Sequence, residues 1–421
     1  MNTNKQVGAG VAALLAILLG LAVFSGGTGQ PPAATVTSST SSTTTTWPAP
    51  LVVQPFAATA TFNRPVSEFG TSPRSAEWAA RCYRWCSLTG PGKWSLYVDP
   101  AWSYALFDAR QATTTIPVFR ASFGFQGSLR PGERVPWSPA WNALVPTGND
   151  RIVVIVDPPT GREWDLWLVQ PPGGNQSACI TLENLAANVG AEPGLCVGQG
   201  DLILDAAGRP IDYRTATSGS YPTGGAWFAS LPMLVTADEV AAGRIGHALN
   251  GIAYNTMFGP ACPNPTDTSA LGFGTLCGGW VPPASRLEWD QAPQQCGAQT
   301  MPSTVDGRSR TVPEGVRFFL AITDAEITAW LDGRHYTGRI RETARIFAIA
   351  LRDYGWIITN TSCYDAGWFT DAASARSKWT ALGLDPTAPA SQRVMDGLIT
   401  STNLRMAGPS AVQSVGALVQ R

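Results

Sequence analysis

A mainly β fold, an antiparallel sandwich or jelly roll with a few short α-helices, is the class that three features of this 421-residue sequence predict. The 43 Gly and 33 Pro call for many turns and leave little room for long helices. The apolar runs are short and rich in β-branched and aromatic residues, the clearest being RIVVIV at 151–156. Helix signals are few and local: two capping boxes, Thr236 with Glu239 and Thr323 with Glu326, and one amphipathic stretch at 343–354.

Taken in order, the chain opens with Lys5 and an apolar run at 11–24. That run is short for a membrane span of about 20 residues and suits the core of a secretory signal. No small-x-small cleavage site follows, so residues 1–27 are a signal peptide or an uncleaved N-terminal anchor to a membrane. Residues 28–50 are dominated by Ser, Thr and Pro, cannot bury enough surface to order themselves, and read as a linker. No second linker and no internal repeat divides 51–421, which is expected to be one β-rich domain with a helical subregion towards its C-terminus.

Composition narrows the partners. With 44% apolar and 14% charged residues the body can build a sizeable core. A formal charge of -1, with lysine only at Lys5, Lys93 and Lys378, offers no clustered basic face and excludes nucleic acid. Eight cysteines in an exported chain imply disulfides. Cys179 with Cys196 and Cys262 with Cys277 would close local loops, and Cys296 with Cys363 would join distant segments, among about 100 connectivities open to eight cysteines. Zinc at Cys82 and Cys86 is the rival; it lacks a second ligand pair, so neither a metal nor another cofactor is expected.

Within the body, 78–102 reads as a short helix carrying Cys82 and Cys86 on one side, then an extended segment. Strands are expected at 116–125 and 151–156. The latter opens a hairpin that turns at Asp157-Pro-Pro-Thr-Gly161 and returns through REWDLWLV. Alternation in the return strand puts Glu163, Asp165 and Trp167 on one face and Trp164, Leu166 and Leu168 on the other, which is the better core candidate. A second hairpin is expected at 201–214. The small-residue loop at 218–225 lacks the lysine of a phosphate cradle. Helices should begin after Thr236 and after Thr323, the first interrupted near Gly243 and the second ended by Gly333. The helix at 343–354 should stop at Gly355, and a strand should follow at 356–359.

Chemistry has two candidate locations. Glycoside hydrolysis needs one protonated and one ionised carboxyl, and Asp157, Glu163 and Asp165 are the best-clustered acids, with Trp167 beside them to stack a sugar. The structural alternative is the solvated outer face of an antiparallel sheet. Lyase chemistry needs a base and a cation, for which His247 and Arg244 would serve if one helix carried both. Here the alternatives are a satisfied core histidine and a helix-end charge. His335 lies in a polar turn. No Gly-x-Ser-x-Gly elbow follows a strand, so a serine triad is unsupported. The 16 tryptophans are either core or sugar-stacking platforms.

The runs GNDRIVVIVDPPTGREWDLW, TADEVAAGRIGHAL, PEGVRFFL and ALRDYGWIITN, in that order over roughly 137–368, resemble a family of exported proteins of soil bacteria, including actinobacteria, that carry an EVAAGRIGHAL-type motif. The resemblance implies export and one β-rich body, and it implies no reaction. The chain departs from the family pattern at Ile152, where the family has a histidine after the Asp-Arg pair. Together these readings lead to an exported or cell-surface-anchored protein acting on extracellular polysaccharide or cell-wall glycan as a glycoside hydrolase or lyase. The alternative is a non-catalytic carbohydrate-binding or wall-associated adhesion module.

Overall fold

In the hairpin strand Val153–Asp157 the residues Val153, Val154, Ile155 and Val156 have no exposed surface at all, so both faces of its sheet are covered. That observation governs the architecture. The computed structural model describes residues 54–408 apart from 188–191, 206, 218–224, 265, 267–276, 289–294, 297–298, 301–308 and 364. These fall in one compact unit, Trp47–Arg421. The expected signal or anchor, the linker, and most of the 218–225 loop lie outside the described residues.

Strands are numbered in chain order. The largest sheet runs β1 (Ser95–Tyr97), β14 (Gly367–Phe369), β9 (Leu249–Ala253), β13 (Trp356–Thr361), β12 (Arg317–Leu320) and β15 (Leu404–Met406). A second runs β2 (Ala105–Asp108), β5 (Val153–Asp157), β6 (Arg162–Trp167) and β8 (Gln199–Leu202). A third runs β4 (Arg134–Trp137), β3 (Thr114–Arg120) and β7 (Leu195–Val197). A two-stranded ribbon joins β10 (Gln295–Cys296) to β11 (Gln299–Thr300).

The three larger sheets are mixed. β1 lies parallel to β14, β9 to β13, β2 to β5 and β3 to β7, and the remaining neighbours are antiparallel. The fold is therefore strand-rich with a few helices, and the expected purely antiparallel sheets are corrected. Each parallel pair joins segments distant in sequence, as parallel geometry requires a long connection.

Burial assigns the layers. Trp356, Ile358, Trp368 and Phe318 point from one face of the six-stranded sheet into a core shared with helices Ser75–Trp85, Asp324–Gly333 and Gly338–Asp353. Ile357, Ile252 and Phe369 point the other way and meet Leu106, Val154 and Val156 of the four-stranded sheet. The opposite face of that sheet, with Phe107, Val153, Ile155, Trp164 and Leu166, packs on Ile116, Val118, Trp137 and Leu195 of the three-stranded sheet. The order is helices, six strands, four strands, three strands.

The local signals act as read. The hairpin pairs Val156 with Glu163 and Asp157 with Arg162. Both capping boxes are closed, opening helices Ala237–Ala241 and Asp324–Gly333. Gly355, at φ +66°, ends the helix Gly338–Asp353, and a Cβ there would lie 2.0 Å from the Phe318 carbonyl oxygen. Disulfides join Cys82 to Cys86, Cys179 to Cys196 and Cys262 to Cys277, so Cys82 and Cys86 hold no zinc. Cys363 is disulfide-bonded, while the Cys296 side chain lies outside the described residues. These bridges suit an oxidising compartment, as expected of a secreted chain. No helix among the described residues is long and apolar enough to cross a membrane.

Candidate functional site

On β6 the side chains of Glu163 and Asp165 share a face with their cross-strand partners Val156 and Val154, and that face points into the core between the six- and four-stranded sheets. Glu163 is 0% and Asp165 3% exposed, so neither the expected accessible acid pair nor the alternative of a solvated face is what the fold builds. Backbone amides hold them: Leu231 N donates to Glu163 Oε1 at 3.2 Å and Ser230 N to Asp165 Oδ2 at 2.9 Å. Asp201, opposite Asp165 on β8, is buried too and accepts from Ser128 N at 2.6 Å and Gln199 Nε2 at 2.8 Å. Gly127 lets its loop lie this close, since a Cβ there would sit 2.1 Å from the Gly200 carbonyl oxygen. Burial, reinforced by the charge of Asp165, pushes Glu163 well above the carboxylate range, and burial pushes Asp201 up to about 8. At neutral pH Asp201 keeps its proton and burial favours the same for Glu163, in an apolar layer out of reach of a glycosidic oxygen.

Asp157 stands apart. It pairs with Arg162, one position out of step with Glu163, and so belongs to the other face. Its carbonyl accepts from Gly161 N at 2.7 Å, and its carboxylate from the Thr160 hydroxyl at 2.5 Å, which makes it the turn's own residue. The three hairpin acids do not converge.

His247 and Arg244 are separated as well. The helix stops at Ala241 and Gly243 adopts φ +89°, so no continuous helix carries both. Arg244 is exposed and donates to the Tyr354 hydroxyl at 2.6 Å. His247 is 2% exposed, with Nε2 3.0 Å from Glu239 Oε1 and Nδ1 2.9 Å from the Ala248 carbonyl. Burial alone would push the imidazole down; the Glu239 charge, its hydrogen bond and the Ala248 carbonyl outweigh it and raise the pKa. Both ring nitrogens face acceptors, so the ring is held as the cation. Glu239 is thereby shared between the capping box and His247. Replacing His247 by Ala leaves that carboxylate without its buried partner, and a loss of about 1–3 kcal/mol is expected in urea unfolding.

A second carboxyl pair, half-buried Glu288 and buried Glu314, carries no sequence signature. The amide of Glu288 donates to Glu314 Oε2 at 3.0 Å, and Thr361 N donates to Glu288 Oε2 at 2.6 Å. Burial raises Glu288 to about 7 against the pull of Thr361, with the charge of Asp150 adding to the rise. Burial and Glu288 push Glu314 well up. Asp371 is raised by burial to about 7 while accepting from Trp379 Nε1 and Ala237 N. Among the described residues no group of three or more His, Cys, Asp or Glu could hold a metal.

The accessible chemistry lies at the end of β6. Trp167 is half-buried, its indole N–H 3.4 Å from exposed Asp150, with its ring centroid 5.8 Å from that of Phe125. Phe123 and Phe125 are each 59% exposed. Ser122 N bonds the Ala178 carbonyl and Asn184 Nδ2 the Arg120 carbonyl, which brings the short helix Leu182–Ala186 alongside with Ile180, Leu182 and Leu185 outward. The Cys179–Cys196 bridge and the Arg120–Glu183 ion pair fix this corner. No alternation rule reaches these loop residues, and only Trp167 among them was legible. No family model, no curated protein and no solved structure matches the chain.

Proposed function

We propose that this protein is a non-catalytic carbohydrate-binding module, exported and held at the cell surface, that takes extracellular polysaccharide or wall glycan on the corner built by Phe123, Phe125, Trp167 and Asp150. The observation that carries this reading is the concentration of exposed apolar surface. Five of the eight large apolar side chains exposed among the described residues stand in the two adjoining segments 123–125 and 180–185. Contiguous exposed apolar surface marks an interaction site. Aromatic faces beside a carboxylate suit sugar rings, whose C–H faces stack while their hydroxyls donate. The sealed state of Glu163 and Asp165 favours binding over hydrolysis at the hairpin.

The test is a glycan array followed by calorimetry. Phe125→Ala and Trp167→Ala are expected to weaken the best glycan at least tenfold, a loss of about 1.4 kcal/mol, with unfolding midpoints little changed. Absence of binding to every wall and plant glycan overturns the reading. Glu288, raised to about 7 and within reach of the Asp150 charge, supports a second reading as a glycoside hydrolase. Release of reducing ends that Glu288→Gln abolishes would favour it.

A further inference from the structure

Trp102 is 36% exposed and lies just ahead of β2, in the connection from β1. Ala105 pairs with Val153, and Val153 with Leu166, so the residues before Ala105 and those after Leu166 leave the four-stranded sheet at the same end. Trp102 therefore shares that end with Trp167. Its backbone is clasped: Asp99 Oδ1 accepts from the amides of Ala101 at 2.9 Å and Trp102 at 3.1 Å, and Gln392 Nε2 donates to the other carboxylate oxygen at 3.0 Å.

One short segment joins the two indoles. Gly148 lies directly on Trp102: its amide donates to the Ala101 carbonyl at 2.8 Å, and a Cβ there would stand 2.8 Å from the indole Cε3. Two residues on, at most about 7 Å along the chain, the Asp150 carboxylate lies 3.4 Å from the Trp167 indole nitrogen. Asn149 and Asp150 are both exposed, so open surface continues from the first indole across an acid to the second, and on to Phe125 with its ring centroid 5.8 Å from that of Trp167. The backbone holds this step fixed. Arg151, at φ +43°, and Leu168, at φ +55°, both take the left-handed region, and Leu168 N to Asp150 O at 2.8 Å and Val169 N to Arg151 O at 3.2 Å tie the two segments together. Residues other than glycine persist there only where their surroundings over-determine them, as at ligand sites.

Two aromatic platforms with an acceptor between them suit successive rings of one chain, the ring faces stacking on the indoles and a hydroxyl donating to the carboxylate. A monosaccharide would use one platform only. We infer that Trp102 is a second stacking subsite and that the ligand is a linear polysaccharide, bound along its chain over three or more sugars, one on each indole and at least one across Asp150. The inference rests on the Trp167 corner being a glycan site. Because the two indoles stand on clasped backbone, little ordering cost is left to binding, and each added stacked sugar contributes to affinity.

The experiment is calorimetry of the full chain with cellulose, xylan and chitin oligosaccharides, each from disaccharide to hexasaccharide. At least one series is expected to gain tenfold or more in affinity between its shortest and longest members. Trp102→Ala should remove that gain and leave disaccharide affinity unchanged, whereas Trp167→Ala should weaken both. Because removing the indole also uncovers Gly148, Trp102→Tyr, which keeps a ring over it, is the second variant and should retain most of the gain. Equal affinity for short and long members, no binding of any series, an undiminished gain in Trp102→Ala, or a gain lost as fully in Trp102→Tyr as in Trp102→Ala would each overturn the subsite. The two readings fail separately: glycan binding that needs Trp167 and is indifferent to Trp102 keeps the corner and removes its extension.

Discussion

Raising the pH from about 5 to about 9 is expected to lower the unfolding free energy by several kcal/mol, a large part of the roughly 5–15 kcal/mol that holds a domain together. The sign follows from the direction of the shifts. Glu163, Asp201, Glu288, Glu314 and Asp371 are all raised by burial, three of them to about 7 or 8. Unfolded, such groups titrate near pH 4, so between pH 4 and 8 the folded chain binds more protons and loses stability as they leave. His247, raised against its burial by Glu239 and the Ala248 carbonyl, adds a loss of the same sign through its folded pKa. The opposing carboxylates, such as Asp205 and Asp212, lowered by Arg209 and Arg214, are exposed and lose their small stabilisation only below about pH 4, while the buried Arg317 and Arg81, lowered by burial to about 9 and about 10, oppose the fall only at its alkaline end. Maximum stability is therefore expected near pH 4–5. Urea midpoints across pH 4–9 measure it directly. Glu163→Gln and Asp201→Asn should flatten the alkaline fall, leaving stability similar at pH 5 and higher than the parent at pH 8. A midpoint that stays level or rises from pH 5 to 8 would contradict the buried, protonated state of these acids.

Those acids also mark where sequence reading reaches its limit. Alternation in REWDLW places Glu163, Asp165 and Trp167 on one face of β6, and the pairing with β5 up to Leu166 and with β8 up to Trp167 bears this out. At Leu168 the backbone turns to φ +55°, ending the pattern. What covers that face comes from far away: the amides of Ser230 and Leu231, and Ile252, Ile357 and Phe369 of the six-stranded sheet. No local rule reports such a cover, and alternation alone therefore suggested a solvated face or an open site. Capping boxes and the hairpin were legible because their partners are within a few residues. The parallel partners, β2 beside β5 and β9 beside β13, depend on contacts across some 50 to 100 residues and leave no periodic trace. Glu288 and Glu314 meet in the same way.

Tryptophan is the residue whose two readings, core or platform, separate most sharply by mutation. Trp94 stacks on Trp368 with centroids 5.1 Å apart and planes 24° apart, and Trp356 stands edge-on to both at 5.1 and 5.6 Å. All three are buried, and the indole nitrogens of Trp356 and Trp368 find no acceptor among the described residues, so packing alone holds these two. Trp356 opens β13 between Leu249 of β9 and Phe318 of β12, joining three strands of the central sheet. Gly251 makes the room, since a Cβ there would lie 2.6 Å from Trp356 Cδ1. Trp356→Ala is expected to cost about 3–5 kcal/mol, and Gly251→Ala about 1–3 kcal/mol by overpacking the same indole. Trp167→Ala, at a half-buried edge, should cost under about 1 kcal/mol while removing glycan affinity. Chemical denaturation of the three variants, beside binding to the preferred glycan, distinguishes the roles. A Trp167 variant as unstable as the Trp356 variant would assign the β6 corner to the core and leave the aromatic platform without its central ring.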